Sequence, residues 1–133
     1  MKKYDLRERT YKFSVELVSF LSNLAPARVS SPIFNQLIRS GTSIGANIEE
    51  ADSSPTRKDF RHRIIIAKKE AAETVYWIRM IIDAELLKNE NNVSKAKILL
   101  EECAQLLKIL GSISRKVYEH DLEKSATKVA IDD

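Results

Sequence analysis

Cysteine is nearly absent from this chain: Cys103 stands alone among 133 residues, beside three glycines and three prolines. A single thiol excludes an internal disulfide and a Cys-rich zinc site. Six Gly and Pro residues are too few for a β-rich fold with its many turns. No apolar run approaches the ~20 residues that span a bilayer, so no membrane partner is expected. The start, Met1-Lys-Lys-Tyr-Asp-Leu-Arg-Glu-Arg9, has no apolar segment and does not read as a signal peptide. The Glu-x-x-His pairs of di-iron helical proteins, an HExxH zinc motif and a Gly-rich phosphate loop are all missing from the sequence. The expectation is therefore a cytoplasmic protein with no metal, no cofactor and no catalytic residue.

What remains is helical in character. Charged residues make up 31% and hydrophobic residues 44%. The net charge of +3 and pI near 9.0 permit contact with nucleic acid without requiring it. Phe13, Leu17, Phe20 and Leu24 follow a four-three-four spacing, which predicts a first helix over about 5–24, ended by Ala25-Pro26. Ser31-Pro32 reads as an N-cap and first helical residue. From there Ile33, Leu37, Gly41, Ile44, Ile48 and Ala51 form one apolar seam of a second helix, ending at about 51–53. Ser40, Ser43, Asn47 and Glu50 form a polar seam beside it.

A third helix is predicted from about 54–56 to 87. Its heptad seam is Phe60, Ile64, Ala67, Ala71, Thr74, Ile78 and Ile81, broadened by Ile65, Ile66, Val75, Trp77 and Ile82. So broad an apolar girth implies more than one neighbour, which could include another subunit. A polar turn over 88–92 leads to a fourth helix, about 93–118, with the seam Ala96, Leu99, Cys103, Leu106, Leu110, Ile113 and Val117. The pattern then fades, so 1–120 reads as one domain and 121–133 as a frayed C-terminal tail. Four amphipathic helices with short connections predict an all-α, antiparallel, up-down-up-down four-helix bundle.

Gly41 and Gly45 lie four residues apart inside the second helix, each at a cost of roughly 1 kcal/mol relative to Ala. On one helix face, they predict a close backbone approach, within the chain or between subunits. Arg39, Ser43, Asn47 and Glu50 on this helix, with Glu70 and Glu73 on the next, are expected to form a buried polar network that sets register. Arg57, Lys58, Arg61, Arg63, Lys68 and Lys69 form the main basic cluster, suited to phosphate contacts, although a solvated helix start is the ordinary reading. Cys103 reads as a buried small hydrophobe. His62 and His120 each follow an arginine, Arg57 and Arg115, by five residues. That spacing resembles the motif of helical HEPN-type ribonucleases, but no supporting pattern surrounds either pair.

The run Arg39-Ser-Gly-Thr-Ser-Ile-Gly-Ala-Asn-Ile-Glu-Glu-Ala51 resembles the signature of the four-helix bundle proteins encoded in intervening sequences of bacterial 23S rRNA genes. That signature is approximately Arg-Ala/Ser-x-x-Ser-Ile-x-Ala-Asn-Ile-x-Glu-Ala/Gly. Lys58-Asp-Phe60 and Ile66-Ala-Lys-Lys-Glu-Ala-Ala-Glu-Thr-Val-Tyr-Trp77 extend the likeness, which covers about residues 5–118. The resemblance implies a small bacterial protein without established enzymatic activity. It also implies a distant similarity to the accessory variability-determinant protein of diversity-generating retroelements, a pentameric ring that binds nucleic acid and a reverse transcriptase. The expectations that follow are a ring-shaped homo-oligomer, preferably a homopentamer, that binds RNA or DNA through its basic surface. The alternatives are an adaptor that recruits a protein partner and, third, a helical ribonuclease.

Overall fold

In the computed structural model, residues 3–132 are described, with side-chain environments for 6–129. Four helices account for nearly all of them: α1 (Lys3–Ser22), α2 (Ser31–Asp52), α3 (Arg57–Asp83) and α4 (Glu90–Asp132). No strand occurs among the described residues. The helices surround one core. Phe13 and Leu17 of α1, Leu37 and Ile44 of α2, Ile78 and Ile81 of α3, and Leu106 and Leu110 of α4 are essentially inaccessible to solvent. The α3 and α4 seams enter this core at their predicted positions, with Phe60 and Ile113 packed at its margin. On α2 the entering residue is Phe34, one position after Ile33, which lies partly covered at the edge.

Both internal glycines of α2 face α1 of the same chain. A Cβ on Gly45 would stand 3.2 Å from the carbonyl oxygen of Thr10 and 3.4 Å from Ser14 Oγ. A Cβ on Gly41 would fall 2.0 Å from a Leu17 methyl carbon. The close approach is therefore backbone against helix at Gly45 and side chain into a notch at Gly41. Thr10 is fully buried there, and its hydroxyl is satisfied by donating to the Leu6 carbonyl at 2.8 Å.

The helix ends depart from the sequence reading in instructive ways. The cap position of α2 is Ser30, one residue before the expected Ser31. Its hydroxyl donates back to Ala27 instead of capping the helix. Thr56 caps α3 by accepting from the Asp59 amide at 3.1 Å. The C-terminus of α3 comes earlier than the predicted 87. Glu85 takes φ 57°, the Leu86 amide donates to Ile81 O at 3.0 Å and the Glu85 amide to Ile82 O at 3.1 Å. This is a Schellman turn with glutamate where glycine usually sits, so the expected signal was missing. The turn starts at Ala84, and α4 begins at Glu90 rather than 93. At the other end, residues 121–132 continue α4 as helix, although the apolar pattern stops at Val117.

Two substitutions check this account. Gly45→Leu places atoms beyond Cβ into the α1 backbone and should lower stability by about 2–3 kcal/mol, read from urea midpoints. Glu85→Gly removes the left-handed strain of a side chain and should raise stability by about 1 kcal/mol in the same measurement.

Candidate nucleic-acid interface

The polar residues of α2 and α3 meet along their shared edge. Arg39 Nη1 lies 3.2 Å from Glu70 Oε2, and its Nη2 bonds Glu73 Oε1. The same Glu73 oxygen accepts from the Trp77 indole at 3.1 Å. Two turns along, Arg63 Nη1 reaches Glu50 Oε2 at 2.7 Å and Asn47 Oδ1 at 3.3 Å. Asn47 and Ser43 also bond back to their own helix, to Ser43 O and Arg39 O. The six expected network residues thus form two separate clusters joined through α2. They lie at a half-exposed helix edge and not in the core. The buried polar contact is a different one: Thr74 Oγ1 and Ser40 Oγ, 2.9 Å apart and both inaccessible. Sequence spacing had placed Ser40 on the polar seam and Thr74 on the apolar one, so their pairing was not legible.

Hydrogen bonds from the Arg39 guanidinium, then from the Trp77 indole, hold the Glu73 carboxyl below the usual glutamate range. Burial pushes the Cys103 thiol up to about 12. Its sulfur lies 3.5 Å from Ala71 O, and such a thiol is an inert core group.

The six candidate cations do not share one patch. Arg57, Arg61 and Lys68, spaced four and seven apart, occupy the side of α3 toward α4. Lys58 and Lys69 project outward, and Arg63 turns to α2. Arg57 Nε and Arg61 Nη1 both bond Asp121, at 2.8 and 3.3 Å. Those contacts, the Arg57 hydrogen bond foremost, hold Asp121 below the usual aspartate range. Asp121 had been read as part of a patternless tail; only the fold brings it to α3.

Sequence reasoning also missed the contribution of α4. The positions of Arg115 Nη1 and Lys68 Cε, 3.7 and 3.9 Å from where a Gly111 Cβ would stand, bring the two helices' cations together. Lys97, Lys108 and Arg115, spaced eleven and seven, share that face of α4, and Arg79 lies eleven residues beyond Lys68 on α3. All are exposed. The result is a basic strip along the α3–α4 side, about 33 Å from Arg57 to Arg79 at 1.5 Å per residue. The periodicity of these lysines was available in the sequence, but only the pairing of α3 with α4 makes them one surface.

His62 is exposed, and the Arg57 guanidinium is directed to Asp121. His120 Nδ1 lies 3.8 Å from Asp121 Oδ1. Among the described residues no group of three His, Cys, Asp or Glu side chains could hold a metal ion. None of the described helices is long and apolar enough to cross a membrane.

Comparison with known proteins places the chain. The profile of the 23S rRNA-intervening sequence protein family matches residues 2–112. The chain belongs to that family. A crystal structure of a protein of unknown function from the S23 ribosomal protein family of Bacteroides thetaiotaomicron is similar, with 32% identity and a TM-score of 0.72. The match covers 86% of this chain and 99% of that one. No curated protein matches. The family match includes Arg39, Glu70, Glu73 and the α3 half of the basic strip, and it stops before Arg115 and Asp121.

The lowered Glu73 carboxyl sets a pH dependence. Its stabilisation is complete above the ordinary glutamate value of about 4.3 and drains as pH falls through the lower folded value. Arg39→Met should therefore lower the urea midpoint at pH 7, and the gap to the parent should narrow toward pH 2–3.

Proposed function

We propose that the chain is a non-enzymatic, oligomeric nucleic-acid-binding protein whose ligand is RNA, held as a polyanion along the α3–α4 side. The observation that carries this reading is the strip formed by Arg57, Arg61, Lys68 and Arg79 with Lys97, Lys108 and Arg115. Phosphate contacts need exposed, mobile cations in a row and confer no sequence preference. The family's description, which names 23S rRNA, favours RNA as the polyanion. Asp121 tempers the strip by occupying two of its guanidinium groups.

The helices are read as an antiparallel, up-down-up-down bundle. Three sets of contacts support this: Arg7 with Glu49 and Leu17 with Gly41, Arg63 with Glu50 and Arg39 with Glu73, Arg57 with Asp121 and Ala71 with Cys103. In each set, numbers rise on one helix as they fall on the next. A ring of copies, five preferred, would join the strips of single chains into a continuous basic surface in the cytoplasm. The adaptor reading has one observation in its favour: Ile65 and Tyr76 are exposed on the outward side of α3. A pull-down with the purified protein that repeatedly recovers one protein, and no RNA, would favour it.

Anisotropy titration of a labelled rRNA fragment at several salt concentrations tests the RNA reading. Lys68→Glu/Lys108→Glu/Arg115→Glu should weaken binding and reduce the slope of log K against log salt by about two, as expected for three lost single-strand phosphate contacts. Asp121→Asn should tighten binding severalfold. No binding by the parent protein at 50 mM salt, or a triple variant that binds equally well, would refute the reading.

A further inference from the structure

Beyond Val117, the last buried residue among those described, α4 projects as an arm of about 22 Å, fifteen residues at 1.5 Å each. Tyr118, Leu122 and Val129, spaced four and seven apart, lie exposed along one face of it. Asp121 is the one half-buried side chain from 118 to 129. An arm that buries so little gains almost nothing from tertiary packing, which is where most helix stability comes from. It also carries its own charge. Residues 119–133 hold five carboxylates against two lysines, a net −3, so the preceding 118 residues carry +6 within the chain's total of +3.

A receptor of matching character lies at the end of the body from which the arm departs. Leu6, Ile48, Phe60, Ile64, Ile113 and Val117 line an open apolar cleft of about 360 Å³. Arg7, Asp52 and Lys116 also line it; Arg7 is paired with Glu49 and Asp52, so Lys116 is the cation the cleft offers to an acidic arm. The chain's own arm cannot enter. Ile113 and Val117 are a wall of the cleft, and the arm is the straight continuation of that wall.

We propose that the arm of one copy docks by its Tyr118–Leu122–Val129 face into this cleft of a second copy, with the arm's carboxylates toward the basic body. Each copy donates one arm and offers one cleft, a head-to-tail contact of the kind that closes into rings when the rotation permits. This rests on the oligomeric reading above and supplies its contact. The family match ends at residue 112, so the arm lies outside the matched segment.

Sedimentation equilibrium from 1 to 100 μM provides the test, on the full chain, on a chain ending after Asp121, and on full-length Leu122→Asp/Val129→Asp. Both variants keep Asp121 and its partners on α3, and circular dichroism checks that their melting is unchanged. Expected are an oligomeric parent and at least tenfold weaker association in both variants. A fluorescein-labelled peptide of residues 118–133 should bind the truncated chain, and Lys116→Glu in that chain should weaken binding at least threefold. If both variants keep the parent's mass, the arm proposal is overturned while the oligomer stands. A parent that is monomeric at 100 μM overturns both.

Discussion

The absence of two side chains lets α1 lie against α2, and much of the molecule follows from that approach. Gly45 brings the α2 backbone to van der Waals distance from the Thr10 carbonyl, and Gly41 receives Leu17. With α1 so placed, its two flanks reach different neighbours. Arg7 bonds Glu49 and Asp52 on α2, while Arg9 forms a two-pronged bond to Glu102 on α4 at 2.6 and 2.8 Å. The side of α1 between them buries Thr10, Phe13 and Leu17. The helix-propensity cost of two glycines is thus offset by a seat for α1 that connects both neighbouring helices.

Charge is sorted by location. Arg7, Arg9, Arg39 and Arg63 are engaged in pairs that join one helix to another. Exposed pairs of this kind contribute little each. Their geometry matters more, because each ties one helix to another, Arg9 joining the first helix to the last. Arg57, Arg61, Lys68 and Arg79 with Lys97, Lys108 and Arg115 fall on the α3–α4 side, where Asp121 pairs with the first two. A chain with a modest overall charge therefore presents a locally basic surface, and the acidic arm accounts for part of that modesty.

The fold was legible because the seams are long and regular. Ile64, Ala67, Ala71, Thr74, Ile78 and Ile81 are all buried in the core, and Leu99, Cys103, Leu106 and Leu110 repeat the pattern. What could not be read has identifiable causes. Glu85 adopts a backbone conformation usually signalled by glycine, so α3 was drawn too long. Residues 121–132 do not continue the core seam of α4, and a helix that buries almost nothing gives no such signal. The basic strip needed the pairing of α3 with α4, since Lys68 and Arg115 are 47 positions apart in the sequence. The α2–α3 polar residues were read as one interior network but stand as two clusters at a half-exposed edge, because periodicity locates a face and not its depth.

Trp77 is the chain's single tryptophan, and its indole shares one carboxylate oxygen of Glu73 with Arg39. Tyr76 stands beside it, ring centroids 5.0 Å apart and nearly perpendicular. The intrinsic emission of the protein therefore originates at the joint between α2 and α3. Protonation of that carboxylate, or separation of the two helices, changes the immediate surroundings of the one dominant fluorophore. The protein carries its own optical gauge of whether that joint is closed, with no label attached.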